Sequence, residues 1–371
     1  MRTELKPLCT GVIGTGAISD AYLKNLTGIF SDLIRVKCIA ANHIESAQKK
    51  AEQYLLQACT VADLLKDEEI RLVIILTPVQ THYSLIEKCL QANKHVYTEK
   101  TITLTKEEAL HLKQMAEERN LYLGAAPDTF LGSSVQTALK AVQEGLIGDI
   151  HSFNIAINRN NDILTSMFPF LRIPGAGILR DYVVYYLTAL CTLLGPVESV
   201  AAQLRAPYKK RTCILPQSPD FGKEIDTPNE SILAATVQMK NGIIGTLHDD
   251  SESAMMYPSV FNLYGSKGVL VLGNPNNFGD PVYFCKALPE SFSEPQKPEE
   301  LPFVNSYADN MRGLGAAEMS LAIQNREKHR ASADLAIHVL DVIEAIECSS
   351  TTGRFETVCS DFESSPLLKS L

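Results

Sequence analysis

Up to Ala125 the sequence predicts an α/β fold, a doubly wound parallel sheet, and two observations carry that prediction. Short β-rich runs alternate with helical periodicities of about ten residues, the pattern of βαβ units. The first of these runs also ends in glycines that open a helix. In order, Leu8–Ile13 is an apolar strand ending in Gly14-Thr15-Gly16-Ala17-Ile18-Ser19, and a helical pattern follows through Tyr22, Leu23 and Leu26. Val36–Ala41 reads as strand, Ser46–Tyr54 as helix, Val61–Leu65 as a short helix and Leu72–Leu76 as strand. Thr81–Ala92 reads as helix, His95–Thr98 as strand, Lys106–Arg119 as helix and Tyr122–Ala125 as strand. The helix from Lys106 opens with a capping box, Thr105 and Glu108, and Ala109, Leu112, Met115 and Ala116 share one face.

At roughly 100–200 residues per domain, 371 residues predict two domains. The net charge of −9 argues against a nucleic-acid partner, because a polyanion needs a clustered basic face. Nine cysteines are scattered without metal or redox spacing. Several, such as Cys38 and Cys191, lie in apolar patterns where a thiol acts as a small hydrophobe, so reduced thiols in a cytoplasmic protein are expected. The N-terminus runs into the first strand without a charged-then-apolar leader, and no apolar run approaches the ~20 residues of a membrane span. The eight histidines form no HExxH and no His-x-His, so no metal is expected.

At the first turn, Gly14 allows a tight bend, Gly16 lets the backbone approach a pyrophosphate, and small Ser19 permits close helix packing. The helix opening at Ala17 and Ile18 presents free N–H groups and partial positive charge to phosphates. The second strand ends Ala40-Ala41-Asn42-His43 without the acid that commonly holds the ribose hydroxyls. Asn42 can bond a hydroxyl and His43 can stand near a 2′-phosphate. The absence of an Arg there favours NAD, with NADP left open.

The segment LVIILTPVQTHYSLIEKCLQANKHVYTEKTITLTKEEA resembles the Gfo/Idh/MocA oxidoreductases, which carry TP-x-x-x-H and then a strand ending Glu-Lys-Pro. The matching positions are Thr77, Pro78, His82, Glu99 and Lys100. Thr101 replaces the proline, so the turn presenting the lysine is expected to be less rigid. APDTFLGSSVQTALKAVQEGLIGDI, PGAGILRDYVVYYLTALCTLLGPVESV, YGSKGVLVLGNPNNFGDPV and RGLGAAEMSLAIQNREKHRASADLAIHVLDVIEAI continue the resemblance over nearly the whole chain. It implies a Rossmann domain over 1–127 and an α+β domain over 128–371 with a large, mostly antiparallel open sheet. It also implies NAD(P), a sugar, polyol or glycoside substrate, and a cofactor site that includes Thr77, Pro78, His82, Glu99 and Lys100. A sheet face left uncovered would need a partner copy, so a homo-oligomer is expected.

Hydride transfer from an alcohol needs a base for the hydroxyl proton and a carbinol carbon held against the nicotinamide. Lys100, at the carboxyl end of a parallel strand, can polarise the substrate oxygen. Asp181 and Tyr185, four apart and on one face if helical, stand where the family usually has Asp and His. A Lys–Tyr pair would make phenolate more accessible than its free pKa of ~10 allows. Tyr186 is a further substrate candidate, although Tyr182, Tyr185 and Tyr186 equally suit a core. Asp128 and Thr129 follow the domain crossover, and Asn158, Arg159 and Arg172 precede the glycine turn. Each is a candidate for sugar hydroxyls or a solvated loop residue. The expected activity is oxidation of a ring hydroxyl, C3 above all, because the APDTFLG branch resembles bacterial glycoside 3-dehydrogenases. An inositol or polyol dehydrogenase, a redox-assisted glycosidase and a non-catalytic cofactor-binding protein are the alternatives.

Overall fold

The computed structural model describes residues 6–254, 259–287 and 297–371. The chain divides into two compact units, Met1–Leu131 with Asp309–Leu340 and Leu371, and Gly132–Ala308 with Asp341–Ser370. Residues 1–5, the start of the segment read for a leader, lie outside the described residues.

The first unit alternates β1 (Leu8–Ile13), α1 (Ile18–Leu26), β2 (Ile34–Ala40), α2 (Ile44–Tyr54), β3 (Gln57–Cys59) and α3 (Val61–Lys66). It continues with β4 (Leu72–Ile75), α4 (His82–Gln91), β5 (His95–Thr98), α5 (Lys106–Glu118) and β6 (Leu123–Ala125). The six strands are parallel in the order β3-β2-β1-β4-β5-β6, the doubly wound arrangement expected from the sequence. β1 and β4 are buried along their whole length, which is why they read as continuous apolar runs. The order reverses on either side of β1, so the carboxyl ends of β1 and β4 form the crevice where such sheets take ligands. α5 begins with the capping box, both reciprocal bonds present, and buries Ala109, Leu112 and Ala116 in the core with Ile86, Leu90 and Val96. Each fully buried Leu or Ile there contributes roughly 1.5–3 kcal/mol relative to exposure. β2 starts at Ile34, two residues ahead of the expected Val36, because Ile34 is buried and pairs with Leu8.

The second unit contains α6 (Ser133–Gln143), β7 (Ile150–Asn158), α7 (Asn161–Met167), a π turn (Leu179–Val183), α8 (Val184–Leu194) and β8 (Val197–Arg205). There follow β9 (Lys210–Thr212), β10 (Glu224–Asp226), β11 (Ile232–Met239), β12 (Ile244–Asp250), β13 (Val260–Gly265), β14 (Gly268–Leu272), β15 (Tyr283–Lys286), β16 (Glu299–Glu300) and, near the C-terminus, β17 (Glu356–Thr357). Nine of these strands form one sheet, β16-β15-β14-β13-β7-β12-β11-β8-β17, antiparallel except where β7 meets β12. Alternation separates its faces: Phe153, Ile155, Ile157, Leu233, Val237 and Leu247 are buried, whereas Thr236, Gln238, Thr246 and His248 are exposed. α8 rests on the buried face, with the Tyr186 ring 6.1 Å from that of Phe261. α9 (Leu314–Asn325) and the first turns of α10 (Ala333–Thr352) return to the first unit; the rest of α10 belongs to the second.

Candidate active site

At the end of β1, Gly14 has φ +116°, and a Cβ there would lie 2.8 Å from the Leu76 carbonyl carbon and oxygen, so only glycine fits. Gly16 differs: a Cβ would meet nothing within 4 Å. The N–H and Oγ of buried Ser19 both donate to the Gly16 carbonyl, at 3.0 and 2.7 Å. α1 has no side-chain cap, and Gly16 and Ala17 are exposed before Ile18, so uncapped N–H groups face open space. This cradle fits the pyrophosphate of a dinucleotide. Gly16→Val is therefore expected to fold normally while its side chain occupies the phosphate position. NADH binding followed by calorimetry should fall at least tenfold, and unchanged affinity in the folded variant would remove the cradle from the cofactor site. Asn42 and His43 are exposed beyond β2, with no carboxylate among residues 40–43.

His82, the first residue of α4, and Lys100, just past β5, follow neighbouring strands. His82 is buried, and each ring nitrogen lies 2.8 Å from a carbonyl oxygen, Nε2 from Thr77 and Nδ1 from Thr101. Burial holds its pKa below the ordinary histidine value. Expected to contact cofactor, this ring visibly ties the loop after β4 to the turn after β5. Thr77 Oγ1 accepts a bond from Thr81 (2.7 Å), and exposed Pro78 caps the short 3-10 turn Val79–Thr81. Glu99 accepts from the Tyr22 hydroxyl (2.7 Å) through Oε1 and from the Lys100 N–H (3.1 Å) through Oε2. Thr101, in the proline position, is buried and donates through Oγ1 to the Thr103 carbonyl (2.9 Å). Hydrogen bonds thus hold the turn that was expected to be less rigid for want of a proline. Lys100 itself is half-buried. Asp128 is also in this unit, buried, with Oδ2 accepting the Gly313 and Gly315 N–H groups (2.9 and 3.1 Å) at the start of α9. Burial pushes its carboxyl up to about 6 against those two bonds. Its visible work is anchoring that turn.

In the second unit, Arg159, just past β7, bonds Asp181 Oδ2 (3.0 Å) and lies over the Tyr182 ring, 3.9 Å from its centre. A small, open pocket is lined by Arg159, Asp181, Asn161, Thr227, Asn229 and Glu230 among others. Gly177 makes room for it: a Cβ there would lie 2.0 Å from the Glu230 carboxyl. Asp181 lies in the π turn, where hydrogen bonding widens the helix. The expected common face of Asp181 and Tyr185, which assumed a regular α-helix, is altered accordingly. Tyr185 is buried, its ring 6.2 Å from that of Tyr182, and it is outside the pocket lining. Tyr186 is fully buried and donates to Asn274 Oδ1 at 3.4 Å; Tyr182 Oη accepts from Asn274 Nδ2 at 2.6 Å. Burial pushes both phenols above the ordinary tyrosine value. Arg172 bonds Asp220 (2.7 Å) and the carbonyl of pocket-lining Thr165 (2.8 Å). Asn158 ends β7, and Thr129 is buried in a 3-10 turn of the first unit. Glu230 and Asp249 are polar members of this region that the sequence did not single out, and Tyr182 was read only as a core aromatic.

A doubly wound sheet with an open glycine cradle at its switch point is the architecture of a dinucleotide-binding domain, and comparison with known proteins gives the family. Residues 8–126 match the NAD-binding Rossmann domain of the Gfo/Idh/MocA oxidoreductases, and residues 135–271 match that family's C-terminal domain. The chain belongs to the Gfo/Idh/MocA family of NAD(P)-dependent oxidoreductases. It is 23% identical over 361 residues to scyllo-inositol 2-dehydrogenase (NADP(+)) IolW of Bacillus subtilis, covering 95% of this chain and 96% of that one. It is 28% identical over 206 residues to oxidoreductase C26H5.09c of Schizosaccharomyces pombe, covering 54% of this chain and 56% of that protein. Levoglucosan dehydrogenase in complex with NADH and levoglucosan shares the fold, with TM-score 0.80 at 19% identity over 95% of this chain and 100% of the other. No helix among the described residues is long and apolar enough to cross a membrane.

Proposed function

We propose that this oxidoreductase moves hydride between NAD(P) and a ring hydroxyl of a sugar or glycoside, with C3 the position oxidised. The observation that carries this reading is the second-unit pocket, where Asp181, Arg159 and Glu230 place charged donors and acceptors suited to a polyhydroxylated ligand. The C3 position rests on the resemblance of the APDTFLG segment. When bound, the nicotinamide accepts the hydride. Lys100 is assigned to polarise the reacting oxygen, Tyr185 to accept the hydroxyl proton, and Asp181, oriented by Arg159, to accept a hydrogen bond from the substrate. Residues 1–127 are assigned to the cofactor and 128–371 to the substrate. The protein is proposed to work in the cytoplasm as a homo-oligomer through the open face of the nine-stranded sheet. The match to an inositol dehydrogenase over 95% of the chain favours a cyclic polyol as the second reading.

A panel of glucosides, free hexoses, a 1,6-anhydro sugar and inositols, offered with NAD⁺ and then NADP⁺, tests these readings through reduced-cofactor absorbance and NMR location of the new carbonyl. A 3-keto glycoside supports the first reading and an inosose the second. Aglycone release without net cofactor reduction indicates a redox-assisted glycosidase. Cofactor binding without turnover anywhere in the panel overturns the sugar and polyol readings together.

A further inference from the structure

Asp249 stands on β12, paired with Ile157 of β7 and Leu233 of β11, all completely buried. It is a carboxyl on the apolar face of the sheet, where a polar group is costly unless its bonds are made. Ser251 Oγ donates to Oδ1 at 2.7 Å, but Oδ2 has no hydrogen-bond partner among the described residues. Residues two apart on a strand share a face, so Arg159, two past Ile157, rises on Asp249's side. That arginine already bonds Asp181 and covers Tyr182. The groups facing the carboxyl are therefore Arg159 from the end of β7, Asp181 and Tyr182 from the π turn and Tyr186 from α8, with the charge of Asp250 beside it on the other face of its own strand.

We propose that Asp249 is a positioning residue for Arg159, its charge deciding how far the guanidinium is held on Asp181 and so how Asp181 meets a substrate hydroxyl. The proposal rests on the assignment of Asp181 to the substrate site. An ionised Asp249 is a second anion for one cation; a neutral Asp249 leaves that cation to Asp181. Burial pushes the Asp249 carboxyl up to about 7, with Asp250 and Asp181 adding to the rise and the Ser251 bond and Arg159 opposing it. The switch between the two arrangements thus falls near neutrality. Coupling is reciprocal: Arg159 and Asp181 must move Asp249's proton affinity in opposite directions.

The sign for stability follows. The folded protein keeps this proton to higher pH than the unfolded chain, whose carboxyl titrates near ~4. The contribution is complete below that value and is lost as pH rises through about 7. Thermal unfolding of the full chain between pH 5 and 8.5 reads this without a substrate. Asp249→Asn is expected to lack the loss, so its melting temperature should gain roughly 3 °C or more on wild type between pH 5 and 8. Arg159→Met should move the wild-type loss to higher pH and Asp181→Asn to lower pH, and this pair decides the question even if Asp249→Asn does not fold. Parallel curves for wild type and Asp249→Asn, or midpoints that fail to move apart, overturn the proposal. With a substrate from the panel, wild-type kcat/KM should bend near pH 7 while Asp249→Asn runs flat there; an unchanged bend also overturns it. A panel without turnover removes the activity assignment, and the stability curves still decide the coupling.

Discussion

Lys100→Met is expected to lower turnover by about 10²–10⁴, the usual worth of a group that manages charge at the reacting oxygen, while NADH affinity changes only a few-fold. The expectation follows from how the turn is held. The Lys100 N–H is fixed by Glu99 Oε2, Glu99 is fixed by Tyr22, and the next residue is fixed by its bond to Thr103 and by His82. These bonds use backbone atoms and other side chains, so they survive removal of the ammonium. Methionine keeps much of the apolar stem of this half-buried side chain, and the melting temperature should barely move. Steady-state turnover and NADH calorimetry on the same preparation check the split. Near-wild-type turnover would take Lys100 out of the chemical step, and an equal fall in cofactor affinity would make it a binding residue. Lys100→Arg adds a second measure. It restores the charge on a bulkier, always protonated group, so partial recovery would indicate electrostatic polarisation, and no recovery would indicate a need for the compact ammonium.

The first unit was legible because its signals are local. β1 and β5 begin and end where their apolar runs do, and the capping box at Thr105 marks the start of α5. β3 escaped notice because Gln57-Ala58-Cys59 is short and without an apolar run, and it becomes a strand only beside β2. The glycine turn could be read for the same local reason: Gly14 and Gly16 act within one turn. The second-unit site is built from distant partners. Arg159 and Asp181 are 22 residues apart, and Glu230 reaches the place left by Gly177 from across a long stretch of chain. The π turn has no visible mark in LRDYV, because its wider hydrogen bonding depends on what packs around it. Asp249 did carry a signal. Leu247 and Asp249 occupy the inward phase of one strand, and a carboxyl in that phase is uncommon unless it has a task. Arg172 shows the converse: a cation beside a glycine-rich segment suggested substrate, and the fold uses it to hold Asp220 and the Thr165 carbonyl.

Tyr185→Phe is expected to lower kcat by about 10²–10⁴ through loss of the proton acceptor, with little change in cofactor affinity. Three tyrosines lie within one stretch, and the proposed roles separate them. Tyr186 is fully buried, and burial pushes its phenol upward, so a phenolate there is hard to form. Tyr182 accepts from Asn274, stacks beneath Arg159 and is likewise pushed upward by burial. Tyr185 is the second residue of α8, just past the π turn, and is the one proposed as proton acceptor. The three phenylalanine variants therefore have distinct expected outcomes. Tyr186→Phe should cost stability through its Asn274 contact but leave kcat close to wild type. Tyr182→Phe should mainly raise KM, because Arg159 loses the hydrogen-bonded ring that helps fix it toward Asp181. Tyr185→Phe alone should also change the basic limb of the pH–rate profile, since a phenol no longer ionises in the reaction. Each variant is compared by kcat, KM and melting temperature with the substrate from the panel. Full activity in Tyr185→Phe together with a collapse in Tyr182→Phe would move the base one turn back, onto the ring beneath Arg159. Activity in all three would leave Asp181 as the proton acceptor, its carboxylate being the pocket group already held in place by Arg159.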